Sequence, residues 1–161
     1  MIFLTVGSQL AFDRLTQKID EWAGKQNGLD IYAQIGITNY IPMNMKYSAQ
    51  LDPEEYLDKI KSADILISHA GMGTIITALE YNKPLLIMPR KAALNETRND
   101  HQVPTARHFS NYNLIQAAND EREITESLEL LLDLTNQGGI RDKLSLMSPE
   151  LINGIQEFIY K

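Results

Sequence analysis

Cysteine is absent from the 161 residues, which excludes a disulfide framework and thiolate metal ligation and gives no argument for secretion. No apolar run approaches the roughly 20 residues that a membrane helix needs. The opening Met1-Ile2-Phe3-Leu4-Thr5-Val6-Gly7 lacks a basic segment and is too short for a secretory leader, so a cytoplasmic protein is expected. Basic residues are in the minority, 15 Lys and Arg against 21 Asp and Glu for a net charge of −6. No basic cluster interleaved with aromatics occurs, and nucleic acid is not an expected partner. His69, His101 and His108 stand at no metal-ligand spacing, so no metal is expected. No Ser/His/Asp set with a nucleophile elbow is visible. The acids between 121 and 129 read as helix caps and a solvated face. Repeats, linkers and low-complexity segments are also missing, which leaves one ordinary globular domain over residues 1–161 that buries roughly 70% of its unfolded surface.

What is present is an alternation of short apolar runs and amphipathic segments. Residues 2–6 read as a strand ending at Gly7-Ser8. Phe12, Leu15, Ile19 and Trp22 at helical spacing predict a helix over about 11–25, with Asp13 and Asp20 outside and Asn27-Gly28 ending it. A second strand over 31–35 closes at Gly36, and the irregular 38–44 is a connector before a short strand near 46–50. Asp52-Pro53-Glu54-Glu55 starts a helix well: a capping Asp, Pro at the first helical position and acids in the first turn.

The wholly apolar 65–67 is a central buried strand. It runs through Ser68-His69-Ala70 into Gly71-Met72-Gly73-Thr74, then a helix stopped by Asn82-Lys83-Pro84, and the next strand covers 85–88. Pro89-Arg90 opens a long polar loop. A helix through Ala106 and Phe109 follows; either it begins near Gln102 or Pro104 deprives its first turn of a hydrogen bond. A last strand near 114–117, a helix marked by Ile124, Leu128, Leu131 and Leu132, a break at Gly138-Gly139 and a terminal helix over 148–161 complete the chain. The pattern is α/β, with a doubly wound, mostly parallel Rossmann-like sheet.

Strand, glycine turn and helix at 65–80 bring free backbone N–H groups and a helix's positive end to the sheet's carboxyl edge, a setting suited to phosphate. A packing turn without a ligand is the competing reading, and His69 would then be a satisfied structural imidazole. Two features argue against a nicotinamide cofactor. No G-x-G-x-x-G follows the first strand, and the second ends Gln34-Ile35-Gly36 without an acid for the ribose. Asn95-Glu96 through His101-Gln102 is dense in groups able to bond hydroxyls; otherwise it is a solvated loop entering a helix cap.

Together, Ser68-His69-Ala70-Gly71-Met72-Gly73-Thr74, Asn82-Lys83-Pro84, Pro89-Arg90 and the Asn95-Glu96 to His101-Gln102 block resemble the C-terminal, donor-binding domain of family 28 glycosyltransferases, the MurG-like half of a GT-B enzyme. The opening Phe3-Leu4-Thr5-Val6-Gly7-Ser8 is similar to stand-alone subunits of that family. These are the small partner of the dolichol-linked N-acetylglucosaminyl transferase and the bacterial counterparts in exopolysaccharide and capsule assembly.

The resemblance implies a UDP-sugar donor. Its pyrophosphate would face Gly71, Met72, Gly73 and Thr74, with His69 and Ala70 in the same turn. Its sugar would meet His101 and Gln102 beside Asn95 and Glu96, and its uracil would lie at Leu51 and Asp52. Gly7 and Ser8 would line the cleft opposite a second half. Where the family carries a ribose-binding glutamate this chain has Thr77.

The chain has the length of one half only. The resemblance therefore implies a membrane-associated acceptor-binding partner subunit, a lipid-linked acceptor held by it, and no catalytic base in this chain. The terminal helix is either the last core helix or part of the partner interface. A non-catalytic nucleotide-sugar binder and a self-sufficient homodimer are the alternatives.

Overall fold

The computed structural model describes residues 1–110, 112 and 114–136. The expected break at Gly138-Gly139 and the terminal helix over 148–161 lie outside these residues. Six strands, β1 (Ile2–Thr5), β2 (Ile31–Gln34), β3 (Lys46–Ser48), β4 (Ile65–His69), β5 (Leu85–Met88) and β6 (Ile115–Ala117), form one sheet in the order β3-β2-β1-β4-β5-β6. All five pairings are parallel. The helices are α1 (Asp13–Ala23), α2 (Pro53–Ser62), α3 (Met72–Glu80), α4 (Gln102–Phe109) and α5 (Ile124–Asn136).

Alternate strand residues feed two cores. Ile2, Leu4, Ile65 and Ile67 pack with Leu15 and Ile19 of α1 and Leu128 and Leu131 of α5. Phe3, Leu66, Leu85 and Ile87 pack on the other face with Ile60 of α2, Ile75 and Leu79 of α3, and Phe109 of α4. Because both faces are covered, the central strands are apolar throughout, as parallel sheets require. The strand order reverses between β1 and β4, and at such a switch point the loops beyond the carboxyl ends diverge and leave a crevice.

The helix starts follow local chemistry. Asp52 Oδ1 accepts from the Glu54 and Glu55 N–H groups at 3.0 and 2.9 Å, capping α2. α4 begins at Gln102, so Pro104 is its third residue, where the missing N–H had no intrahelical acceptor.

Three expectations are corrected. α1 ends at Ala23 rather than about Lys25, because after the helical bond from the Gly24 N–H to the Asp20 carbonyl the Lys25 and Gln26 N–H groups close tight turns onto the Trp22 and Ala23 carbonyls. Gly28, at φ +77°, serves the turn into β2 instead. Asp20 is not outside but 3% exposed. Its carboxylate accepts from Tyr40 Oη at 2.7 Å, the Met43 N–H at 3.0 Å and the Asn44 N–H at 2.8 Å, which ties the irregular connector to α1. Glu121, finally, belongs to no simple solvated face, since it accepts from Arg14 Nη1 at 2.8 Å.

Hydrogen bonds to a buried charge are the strong class, so Asp20→Ala should lower unfolding free energy by about 2–4 kcal/mol in urea denaturation. A loss under about 1 kcal/mol would show that the connector does not depend on this carboxylate.

Candidate functional site

A cleft of about 610 Å³ opens at the carboxyl edge of the sheet, over the β1–β4 switch point. One wall is the loop after β1, from Val6 to Leu10. The floor is the turn from His69 into α3. The far wall holds Arg90, Glu96, Thr97, His101 and Gln102, and Leu51, Pro53 and Tyr56 close one end.

At the floor, Gly71 caps α3 with extended backbone and no side chain bonds the first turn. The N–H groups of Met72, Gly73 and Thr74 have no intrahelical acceptor, and the helix adds a partial positive charge at the same end. All three residues line the cleft.

The His69 ring sits between Gly7 and Gly71. A Cβ added at Gly7 would lie 2.7 Å from His69 Cε1, and one added at Gly71 would overlap Nε2. Gly7 also has φ +82°. The two glycines therefore make the slot that the imidazole fills. Gly73 differs, because a Cβ there meets no protein atom. Burial pushes the His69 pKa down to about 4, with the Arg90 charge and His101 adding to the effect. Its Nδ1 stands 3.2 Å from Ser68 Oγ. His69 is thus a neutral ring at ordinary pH, able to donate or accept one bond in the cleft.

Glu96 reaches the cleft already occupied. It accepts from Arg14 Nε at 2.7 Å, Arg14 Nη2 at 2.8 Å and the Lys91 N–H at 2.9 Å. Gln102 is 6% exposed and its Oε1 accepts from the Arg90 N–H at 3.1 Å, which leaves its amide NH₂ for a ligand. His101 is exposed, its Nδ1 bonded to Asn99 Oδ1. Asn99 oxygen only accepts, so His101 Nδ1 donates to it, while Nε2 has no hydrogen-bond partner among the described residues. Thr77 Oγ1 donates to the Gly73 carbonyl at 2.9 Å, so this hydroxyl has only acceptor capacity left for an incoming group.

Of the residues read as a site, Gly7, Ser8, Leu51, His69, Gly71, Met72, Gly73, Thr74, Thr77, Glu96, His101 and Gln102 line one cleft. Asp52, Ala70 and Asn95 are not among its lining. Asp52 caps α2, Ala70 is 2% exposed within the core, and Asn95 is the left-handed end of a 3-10 turn at φ +57°. Arg90, Gln34 and Tyr56 line it without having been assigned a role. An arginine two residues beyond a wholly apolar strand, after Pro89, was the available signal for Arg90.

An all-parallel sheet in this order, with an uncapped helix N-terminus in a cleft at its switch point, defines a Rossmann-like domain. The chain belongs to the glycosyltransferase family 28 C-terminal domain family, matching it over residues 1–141. It is 30% identical over 122 residues to the human UDP-N-acetylglucosamine transferase subunit ALG13, covering 67% of this chain and 10% of that protein. The Candida albicans ALG13 subunit is 37% identical over 54 residues, 34% of this chain and 17% of that one. The chain thus spans a minor part of these relatives' length.

Among solved structures, the glycotransferase of kitacinnamycin superposes with a TM-score of 0.66 at 16% identity, over 97% of this chain and 39% of that chain. Acinetobacter baumannii MurG gives 0.62 at 17% identity, over 96% of this chain and 49% of that chain. Both share the fold, and in each it accounts for half of the chain or less.

Burial of neutral His69 links the site to pH. Below the ordinary pKa of 6.5 the unfolded chain binds a proton that the folded one refuses until about pH 4, so stability falls as pH falls through that window. Between about pH 6.5 and 5 the wild type should lose roughly 1.5 kcal/mol more than His69→Gln in denaturant titrations. Parallel curves for the two proteins would refute a buried neutral imidazole.

Proposed function

We propose that the chain is the donor-binding subunit of a two-component glycosyltransferase, moving a hexose or N-acetylhexosamine from a UDP-sugar to a lipid-linked acceptor. The observation that carries this is the uncapped α3 N-terminus at the cleft floor, with Met72, Gly73 and Thr74 N–H groups free beside the neutral His69. Membership of family 28 and likeness to proteins named as UDP-N-acetylglucosamine transferase subunits support the choice of donor.

The diphosphate would lie over the first turn of α3. As the bond from the anomeric carbon to the diphosphate oxygen breaks, negative charge grows on the leaving UDP. N–H groups already aimed at that position, with the helix dipole behind them, stabilise it without reorganisation. The field they supply makes a bound metal unnecessary on this reading. His101 and the free amide of Gln102 would orient the sugar, and the Leu51–Tyr56 end would take the base.

The acceptor and its base come from a membrane-associated partner subunit, which would recruit this chain to the cytoplasmic face of a membrane. The whole chain acts as one donor-binding domain. No helix among the described residues is long and apolar enough to cross a membrane.

Titrating UDP into the isotope-labelled chain, with NAD as control, should move the amides of Leu51, residues 71–77, His101 and Gln102. Gly73→Ala should fold and melt as wild type, since its new methyl touches nothing, yet weaken UDP by about tenfold by occupying ligand space. No shift at millimolar UDP would sink the donor-site assignment for the isolated chain.

Transferase activity should appear only on co-expression with the acceptor-binding partner. Activity of the chain alone would favour a self-sufficient homodimer. UDP binding with activity in neither case would favour a non-catalytic binder.

A further inference from the structure

Every hydrogen bond from the Arg90 guanidinium goes to a backbone carbonyl, and those carbonyls belong to both walls of the cleft. Nη2 donates to the Val6 oxygen at 2.9 Å and the Leu10 oxygen at 2.6 Å. Nη1 donates to the Ala11 oxygen at 2.7 Å and, on the other wall, to the Glu96 oxygen at 3.3 Å. The Arg90 N–H holds Gln102 Oε1. The residue is 4% exposed, and its Cζ lies 4.6 Å from the centroid of the Phe12 ring beneath it. Among the described residues no acid forms an ion pair with it. The nearby Glu96 carboxylate is held by Arg14 and the Lys91 N–H.

Resting on the reading of the cleft as a UDP-sugar site, we propose that Arg90 is a positioning residue whose guanidinium clamps the loop after β1 to the segment entering α4 and so sets the width of the diphosphate site. The loop from Gly7 to Leu10 has no secondary structure, and Ser8, Gln9 and Leu10 are exposed, so packing alone does little to place it. A planar fork with five donors satisfies carbonyls on two walls at once, whereas a lysine ammonium, a point charge with three donors, does not span them. Since its hydrogen-bond partners are neutral oxygens, the guanidinium is neutralised by no direct ion pair among the described residues, and its charge beneath the cleft favours an anionic ligand.

Arg90→Lys and Arg90→Gln in the full chain test this, with wild type alongside, by amide NMR before and during UDP titration. In both variants the amides of residues 7–10 and 96–102 should shift together before ligand is added. UDP affinity should then fall by about tenfold or more in each, because lysine keeps the charge but not the fork. Shifts confined to one wall, or wild-type affinity in Arg90→Lys, would overturn the clamp. So would lowered melting temperatures with unchanged UDP affinity in the folded variants, the signature of a merely structural role.

If neither variant folds, Phe12→Leu removes only the ring beneath the guanidinium. It should give the same two-wall shift, and a one-wall shift there would also refute the proposal. Failure of wild type to bind UDP would count against the donor site itself, while the unliganded spectra would still decide for or against the clamp.

Discussion

The slot that holds His69 is the constraint on which the site depends. β1 and β4 pair in parallel from Ile2 opposite Ile65 to Thr5 opposite Ser68, so the chain leaves both strands side by side. Each exit then needs room for one imidazole, and Gly7 and Gly71 supply it by lacking Cβ atoms. With any larger residue at either position the ring would be displaced and the first turn of α3 moved with it. The approach of two glycines to one ring is therefore what brings the uncapped helix end beside the β1 loop. Fold and site meet in that contact, since the strand register produces it and the cleft floor consists of it.

Beyond the sheet, the loops are held by charge rather than by apolar burial. Asp20 holds the connector after β2, Arg90 holds the loop after β1, and the Arg14–Glu96 pair holds the loop after β5 to α1. Loops at a sheet edge must present backbone polar groups somewhere, and a buried carbonyl or N–H without a partner costs about 1–3 kcal/mol. One long charged side chain that serves several of them answers this at a single position. The arrangement also fixes the loops in space without filling the crevice between them, which an apolar plug would do.

These anchors mark where the sequence stops being readable. Strands and helices followed from period and from local chemistry: the Asp52-Pro53 start of α2, the apolar run of β4, and the glycine turn into α3 are each legible within a few residues. Alternation of elements and right-handed crossovers predict a mostly parallel, doubly wound sheet but admit more than one strand order. Long-range polar bonds carry no such local signal. Asp20 looks like any solvent-side helix acid until the N–H groups of Met43 and Asn44 are placed over it. Glu96 looks free to bind a hydroxyl, yet its oxygens belong to an arginine 82 residues earlier. Asp52 and Asn95 fall off the cleft because capping a helix and ending a 3-10 turn are the local tasks those residue types also perform.

The same accounting bears on the division of labour in the proposed reaction. Among the described residues that line the cleft, Glu96 is the sole carboxylate, and its oxygens are engaged with Arg14 and Lys91. His69 is neutral and packed between two glycines, and Arg90 is buried among carbonyls. His101 keeps a ring nitrogen without a partner among the described residues, but it stands on the wall assigned to the donor sugar. What this chain offers a reacting glycosyl donor is therefore a fixed positive field for the departing diphosphate and a set of neutral hydrogen-bonding groups for orientation. Deprotonating an acceptor hydroxyl calls for an unengaged acid or imidazole on the opposite side of the anomeric carbon, and among the described residues the cleft lining holds no unengaged acid. On the proposed reading that step falls to a partner across the cleft; in the longer chains whose fold it shares, this domain accounts for half of the chain or less.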